Sequence, residues 1–322
     1  MLGGMWARAS VVAASLWACA PSAPVAATPA ASHAAEEAGR RTFELGASLL
    51  HVELDADRFD LEASVIMGWV VRCARAVEAY YGAFPVPEVA LVVFASPGRD
   101  INGGRTEPGT PPRIEIRMGE HATARDLERN WSLTHELVHL AFPGLARRHL
   151  WLEEGLASYV EPIARARAGA LTEDDVWREW LTHLELGMPE AGDRGLDHTP
   201  TWARIYWGGA LFCFLADLQL RRESQGRVEL RDALRAIVAA GGNINQSWPI
   251  ERALRVGDAA TGSSVLSDLY RAMKDAPVSV DLESIWRELG VSAASADGVI
   301  GYDATARLAA LREVFVLGAP ER

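Results

Sequence analysis

The sequence predicts an α+β fold in which a small sheet with its helices is followed by a mainly helical subdomain. Before residue 118, short apolar stretches include segments that alternate with polar residues in the period of a strand. From about Thr123 onward, apolar residues recur at helical spacing almost without interruption. We expect the boundary between the two parts near residue 170, and such a seam is a common place for a ligand-binding cleft.

The first part contains three predicted strands and one long helix. Residues 47–54 alternate as a strand, residues 88–95 form an apolar run typical of a buried strand, and a helical pattern begins at Leu61 between them. After a Gly/Pro-rich stretch, residues 113–117 alternate as a short strand. We expect this last strand at an edge of the sheet, where it either pairs with an extended substrate or simply ends the sheet.

The second part is a series of predicted helices without an internal repeat. Thr172 and Asp175 have the spacing of a capping box, which marks the beginning of one helix. The other helices are predicted at residues 151–168, 201–223, 228–240, 263–274, 282–289 and 304–316.

The composition is that of a globular protein and excludes nucleic acid as a partner. The 322 residues are 49% hydrophobic and 23% charged, so a sizeable core is expected. The formal net charge is −11, and no stretch concentrates lysine and arginine. Binding to phosphates depends on concentrated cationic side chains, which this sequence lacks.

The first 40 residues predict export. Residues 1–18 contain Arg8 followed by about 10 apolar residues, which is typical of a signal peptide and too short to span a bilayer, since a span needs roughly 20. The stretch Leu16 to Cys19 resembles a bacterial lipobox. That resemblance implies a lipid anchor on Cys19, with the Ala/Pro-rich residues 19–40 as its tether, and a location in the bacterial cell envelope. Secretion as a soluble protein is the alternative.

Two further cysteines, Cys73 and Cys213, lie in apolar helical patterns. Two residues do not make a disulfide framework, and we interpret them as buried free thiols. A single disulfide between them is the alternative, because an exported protein meets an oxidising environment.

The stretch "WSLTHELVHLAF" at residues 131–142 predicts a metal site. His135 and His139 are four apart and project from the same face of a helix, with Glu136 beside them. Zinc held by two histidines needs a third protein ligand and leaves a position for water, whose pKa falls toward about 7. A carboxylate nearby can take the water's proton. The alternative, two surface histidines, disagrees with the apolar neighbours Leu133, Leu137, Val138 and Leu140.

Two later motifs add a family resemblance. With H-E-x-x-H upstream, "WLEEGLA" at residues 151–157 resembles the second zinc-binding helix of gluzincin metallopeptidases. The stretch "IYWGGA" resembles the Y-x-K-G-A motif of the aminopeptidase N and glycyl aminopeptidase families. The resemblance implies a thermolysin-like zincin domain at residues 41–170, with a helical subdomain at 171–322 closing the cleft. It also makes Glu154 the third ligand of one zinc ion and Tyr206 the donor to the oxyanion.

The sequence also departs from these families. Fourteen residues separate His139 from Glu154, a compact interval that looks most like the peptidase MA-like group. The G-x-M-E-N motif, which captures a substrate's amino terminus in the aminopeptidases, has only a poor counterpart in Gly103-Gly104-Arg105-Thr106-Glu107. Gly208 stands where the tyrosine motif has lysine.

Other polar residues near the motifs are candidates for supporting roles. Glu153 either faces substrate, exchanges roles with Glu154 as the ligand, or only favours the N-terminus of its helix. Ser158 and Glu161 are candidates for supporting the ligands. Four further histidines lack ligand spacing and are interpreted as surface or capping residues: His121, His149, His183 and His198.

Together these features predict a zinc-dependent metallopeptidase that acts on a peptide or protein. His135, His139 and Glu154 hold the zinc, Glu136 serves as general base and then acid, and Tyr206 stabilises the oxyanion. One alternative is an envelope-tethered binding protein that keeps the metal for stability after its catalysis has decayed. Another is a zinc hydrolase of a non-peptide amide or ester. Sequence leaves open the substrate and the choice between aminopeptidase and endopeptidase action.

Overall fold

A computed structural model describes residues 39–293 and 299–318. The predicted signal peptide, Cys19 and nearly all of the tether lie outside the described residues and stay predictions. Within the described part, no helix is both long and apolar enough to cross a membrane.

A five-stranded mixed sheet forms the first part of the fold. Its spatial order is β1-β2-β3-β5-β4. The three central strands β2, β3 and β5 are parallel to one another, and the outer strands β1 and β4 are antiparallel to β2 and β5, respectively. The strands are β1 (Arg40–Leu45), β2 (Ser48–Leu54), β3 (Glu88–Ser96), β4 (Ile101–Glu107) and β5 (Arg113–Gly119).

The long predicted helix, α1 (Ala63–Tyr81), connects the parallel strands β2 and β3. Parallel strands need such a crossover, which buries one helical face and ends where the chain can turn. The helix ends at Gly82, whose φ of +85° is the left-handed conformation that favours glycine. The predicted strand–helix–strand order of this part is therefore confirmed.

The prediction that residues 113–117 lie at a sheet edge is wrong. Strand β5 pairs with β3 on one side and with β4 on the other, so β4 is the edge. Strand β4 escaped prediction because Gly103 and Gly104 interrupt its apolar pattern, and glycine weakens a strand signal. Pairing with β5 holds this strand in place, and the register shifts between Ile101 and Gly104.

The second part is mainly helical, as predicted. The helices and two short strands are α2 (Ala124–Arg129), α3 (Ser132–His139), α4 (Leu150–Arg167), α5 (Glu173–His183), α6 (Gly209–Ser224), α7 (Leu230–Ala239), α8 (Ile250–Thr261), α9 (Val265–Met273), α10 (Leu282–Leu289), β6 (Val291–Ala293), β7 (Ile300–Tyr302) and α11 (Ala309–Arg312).

Two helical predictions need correction. The structure contains α8, which the sequence pattern did not predict, because Gly257 lies in its interior and glycine disfavours helix. That glycine lets α8 approach α9: a Cβ added there would lie 2.5 Å from Leu266 Cδ1. In the segment 304–316, only α11 is helical. The capping box of Thr172 and Asp175 is confirmed at the beginning of α5.

An aromatic cluster fixes α5 against α6 and the end of the chain. Trp177 and Trp180 of α5 pack on each other and on Phe315, and Trp180 also packs on Phe214 of α6, with ring centroids between 5.2 and 5.8 Å apart. All four side chains are buried. Helix α5 is thereby held in place beside α4, which matters because α5 forms one wall of the cavity described below.

The two cysteines are buried and free, as interpreted from the sequence. Burial raises the pKa of the Cys73 thiol to about 11, so this side chain is a neutral thiol.

A buried group of charges joins α4, α6 and α7. The Glu229 carboxylate accepts hydrogen bonds from Arg167 of α4 and Arg221 of α6, and Arg221 also pairs with Asp217 at 3.1 Å between Nε and Oδ1. Burial alone would raise the pKa of Glu229, but the hydrogen bonds from Arg167 and the charge of Arg221 lower it from 4.5 to about 2. This ion-paired carboxylate contributes stability that is complete above about pH 4.5 and lost as the pH falls toward 2.

We expect Glu229→Gln to lower the free energy of unfolding at pH 7 by about 3–5 kcal/mol, because Arg167 stays buried without its counter-ion and Arg221 keeps only Asp217. Urea denaturation measures the difference. The matched control is Glu115→Gln, which removes an exposed ion pair with Arg113 and should cost no more than about 1 kcal/mol. Equal losses of unfolding free energy in the two variants would contradict a stabilising role for the Glu229 ion pairs.

Candidate metal centre and active site

Helix α3 places the motif residues in a buried position. Residues 132–138 are all buried, with His135 3% and Glu136 8% exposed. The side-chain oxygen of Asn130 accepts a hydrogen bond from the Ser132 amide at 3.0 Å, which satisfies one donor at the N-terminus of the helix. Polar groups this deep are costly unless they have partners.

Glu154 of α4 supplies the partner for both histidines. Its Oε2 lies 3.2 Å from His135 Nε2 and 3.6 Å from His139 Nε2, and the three atoms lie within 4.8 Å of one another. Ligands about 2 Å from a tetrahedral ion lie about 3.3 Å from one another, so the arrangement fits zinc. Two imidazoles and one carboxylate are also the donor set of catalytic zinc sites with an open position.

The electrostatics of the three groups agree with this geometry. Burial opposes ionisation of Glu154, but hydrogen bonds from His135 and His139 hold the pKa of its carboxyl well below the usual range. Burial lowers the pKa of His135. Burial acts in the same direction on His139, but the hydrogen bond with Glu154 outweighs it and raises that pKa. A charged carboxylate is the form that binds a metal.

Glu153 points away from the histidines. Its Oε1 accepts a hydrogen bond from the Leu145 amide at 3.0 Å, and burial raises its pKa. Successive residues on a helix face different directions, so only one of the two glutamates can face α3. The structure therefore selects Glu154 over Glu153.

Hydrogen bonds to the Asp197 carboxylate hold the beginning of α4 in place. Asp197 accepts from Trp151 Nε1 at 2.8 Å and from the Tyr270 hydroxyl at 3.0 Å, and its Oδ1 lies 2.9 Å from His149 Nδ1. His149 is 1% exposed, so it is not a surface residue; it occupies the N-cap position of α4, but its side chain forms no capping hydrogen bond. The sequence gives no sign of this pairing, because 48 residues separate His149 from Asp197.

The other three histidines have separate environments. His121 and His198 are exposed and pair with Asp60 and Asp275. His183 is half-buried, and its ring stacks on Trp207 with the centroids 4.8 Å apart.

Two glycines bring α4 and α6 close together. A Cβ added to Gly155 would lie 2.2 Å from Gly209 Cα, and one added to Gly209 would lie 1.8 Å from the Trp151 carbonyl oxygen. No side chain fits at this crossing. Gly155 follows Glu154 directly, and Gly209 comes three residues after Tyr206, so the crossing sets the separation of these two groups.

Tyr206 lies beside the candidate metal ligands. The residues Arg204–Gly208 form a turn of π-helix before α6, and Tyr206 stacks on His135 with the centroids 6.1 Å apart. A buried ion pair between Arg204 and Asp193, 2.8 Å long, holds this turn. Burial, and then the charge of Glu154, raises the pKa of Tyr206 to about 12, so its hydroxyl keeps the proton and can donate a hydrogen bond.

The edge strand β4 holds Glu136. Thr106 Oγ1 lies 2.6 Å from Glu136 Oε2 and 2.9 Å from its backbone oxygen. A Cβ added to Gly104 would lie 2.3 Å from Glu136 Cγ, so glycine is needed for the glutamate to fit. The sequence comparison with G-x-M-E-N identified this segment only as a poor counterpart and gave Thr106 no role. Its position against Glu136 appears only in the tertiary structure.

A cavity of about 590 Å³ adjoins the metal centre. His135 and Tyr206 contribute to its wall, together with side chains from α4 and α5. Ser158 and Glu161, which were candidates for supporting the ligands, line this cavity. Glu161 pairs with Arg165 at 2.8 Å, and no hydrogen bond joins either residue to a predicted ligand within the described part of the chain.

No protein-family model and no curated protein matches this sequence. Among solved structures, the chain is similar to an aminopeptidase N family protein from Idiomarina loihiensis, with a TM-score of 0.60 and 15% identity, over 78% of this chain and 49% of that one. It is also similar to the M1 zinc metallopeptidase from Deinococcus radiodurans, with a TM-score of 0.48 and 19% identity, over 76% of this chain and 52% of that one. The chain spans about half the length of both proteins. The similarity to the first protein confirms the predicted α+β fold, which this chain shares with an aminopeptidase N family protein.

We expect the purified protein to bind about one zinc ion per chain and Glu154→Gln to weaken that binding. Loss of a residue that only supports a ligand costs about 10–100-fold in metal affinity, so loss of the ligand itself should cost about 100-fold or more. Competition with a zinc-chelating dye measures the affinity. Glu153→Gln is the matched control, and a loss of affinity in that variant alone would mean that the assignment of the two glutamates is reversed.

Proposed function

We propose that this protein is a zinc-dependent metallopeptidase. The observation that carries the proposal is the convergence of His135, His139 and Glu154 on one point, with Glu136 and Tyr206 beside them. The fold is that of an aminopeptidase N family protein, which supports the same conclusion. Peptide-bond hydrolysis uses this combination of metal ligands, proton acceptor and oxyanion donor.

His135, His139 and Glu154 would hold the ion, which when bound polarises the substrate carbonyl and lowers the pKa of a water molecule. Glu136 would take the proton of the attacking water and deliver it to the leaving amine. The contact with Thr106 fixes the direction of its carboxylate. Tyr206 would donate its hydroxyl proton in a hydrogen bond to the developing oxyanion, since its pKa keeps it protonated.

The edge of the sheet offers a way to hold an extended peptide. Strand β4 pairs with β5 on one side only, and Thr106 and Gly104 of this strand contact Glu136. A peptide added to the free edge as a further strand would pass beside the proton acceptor. This supports a peptide or protein as the substrate.

We expect Glu136→Gln to lower kcat by about 10²–10⁴-fold while zinc content stays unchanged, because the amide cannot accept the proton. Cleavage of a mixed peptide library, followed by mass spectrometry, compares the variant with wild type. Equal inactivity of zinc-loaded wild type and variant would favour a metal-stabilised binding protein. Cleavage of esters or non-peptide amides, without cleavage of peptides, would favour a zinc hydrolase that acts on non-peptide substrates.

We expect Gly104→Ala to lower kcat by about 10²-fold, because the added Cβ displaces Glu136 and a misplacement of about 1 Å can cost that much. Peptide kinetics of the zinc-loaded variant measure the effect. Arg105→Ala is the control on the same strand, since Arg105 is 72% exposed and pairs with Glu107. Full activity of Gly104→Ala would show that β4 does not position the base.

A further inference from the structure

The cavity beside the metal centre has flat aromatic walls. His183 stacks on Trp207 with 17° between the ring planes, and Trp202 stacks on Tyr206 with 29° between the planes. All four side chains line the cavity. Aromatic faces attract cations, and a planar guanidinium stacks on them better than an ammonium group does.

One carboxylate in the wall, Glu179, forms no ion pair of its own among the described residues. Glu161 is paired with Arg165, and Asp175 with Arg178, each at 2.8 Å. The Glu179 side chain, on the same helix α5, is partly buried and forms no ion pair or hydrogen bond within residues 39–293 and 299–318. Burial raises its pKa, and the charge of Arg165, which is already paired with Glu161, opposes that rise only in part.

We propose that the cavity binds a basic side chain of the substrate, arginine in preference to lysine, with Glu179 as its ion-pair partner. The inference rests on the proposed peptidase function. The position next to His135 and Tyr206 places the bound side chain on one of the two residues that flank the cleaved bond. An apolar side chain would leave Glu179 without an ion-pair partner while shielding it from water, and an acidic one would be repelled by it.

The test compares peptides that differ only in charge. Zinc-loaded full-length protein is assayed on peptides that carry arginine or its neutral isostere citrulline at each position flanking the cleaved bond. We expect kcat/KM for arginine to exceed that for citrulline by roughly tenfold or more at one position. We expect Glu179→Gln to reduce this ratio to about threefold or less. Glu185→Gln is the control, because Glu185 is exposed and lines a different cavity.

Calorimetry with argininamide and citrullinamide separates the two possible failures. Cleavage without an arginine preference, or a preference unchanged in Glu179→Gln, overturns the cavity assignment and retains the peptidase. Binding of argininamide that depends on Glu179, in a protein that cleaves no peptide, overturns the proposed function and retains the assignment. A protein that neither cleaves peptides nor binds argininamide through Glu179 overturns both the peptidase function and the cavity assignment.

Discussion

The crossing of α4 and α6 at Gly155 and Gly209 is the contact on which the candidate site depends. Backbones approach this closely only where neither residue carries a side chain, and each glycine here would clash if it had a Cβ. Glu154 lies next to the first glycine, and Tyr206 lies one turn before the second. The crossing thus brings Glu154 and Tyr206, which are far apart in the sequence, to the same side of α3.

Burial of polar groups explains why the site is so firmly supported. His135, Glu136 and His139 lie in an apolar helix, and each has a partner from another element: Glu154 for the histidines and Thr106 for the glutamate. Asp197 then fixes the beginning of the helix that carries Glu154, through His149, Trp151 and Tyr270. Polar side chains that would destabilise the fold if buried alone are thus held in fixed positions by their partners. Fixed positions of this kind are what a catalytic site requires.

The same reasoning distinguishes the satisfied charges of this protein from the unsatisfied one. Glu229 lies between arginines from two other helices, so its charge contributes to stability. Glu179 has no such partner within the described residues and faces a cavity beside the metal centre. A partly buried carboxylate without an ion-pair partner costs stability, and a basic substrate side chain would supply that partner.

The sequence by itself determined the α+β class, most of the helices and the pair of histidines that are candidate metal ligands. These follow from local rules: apolar spacing predicts elements, and residues four apart on a helix share a face. Only the tertiary structure decided between Glu153 and Glu154, made β4 the sheet edge in place of β5, and gave Thr106, Gly104, His149 and Asp197 their roles. Each of these depends on contacts between residues far apart in the chain, and the period of a sequence carries no information about such contacts.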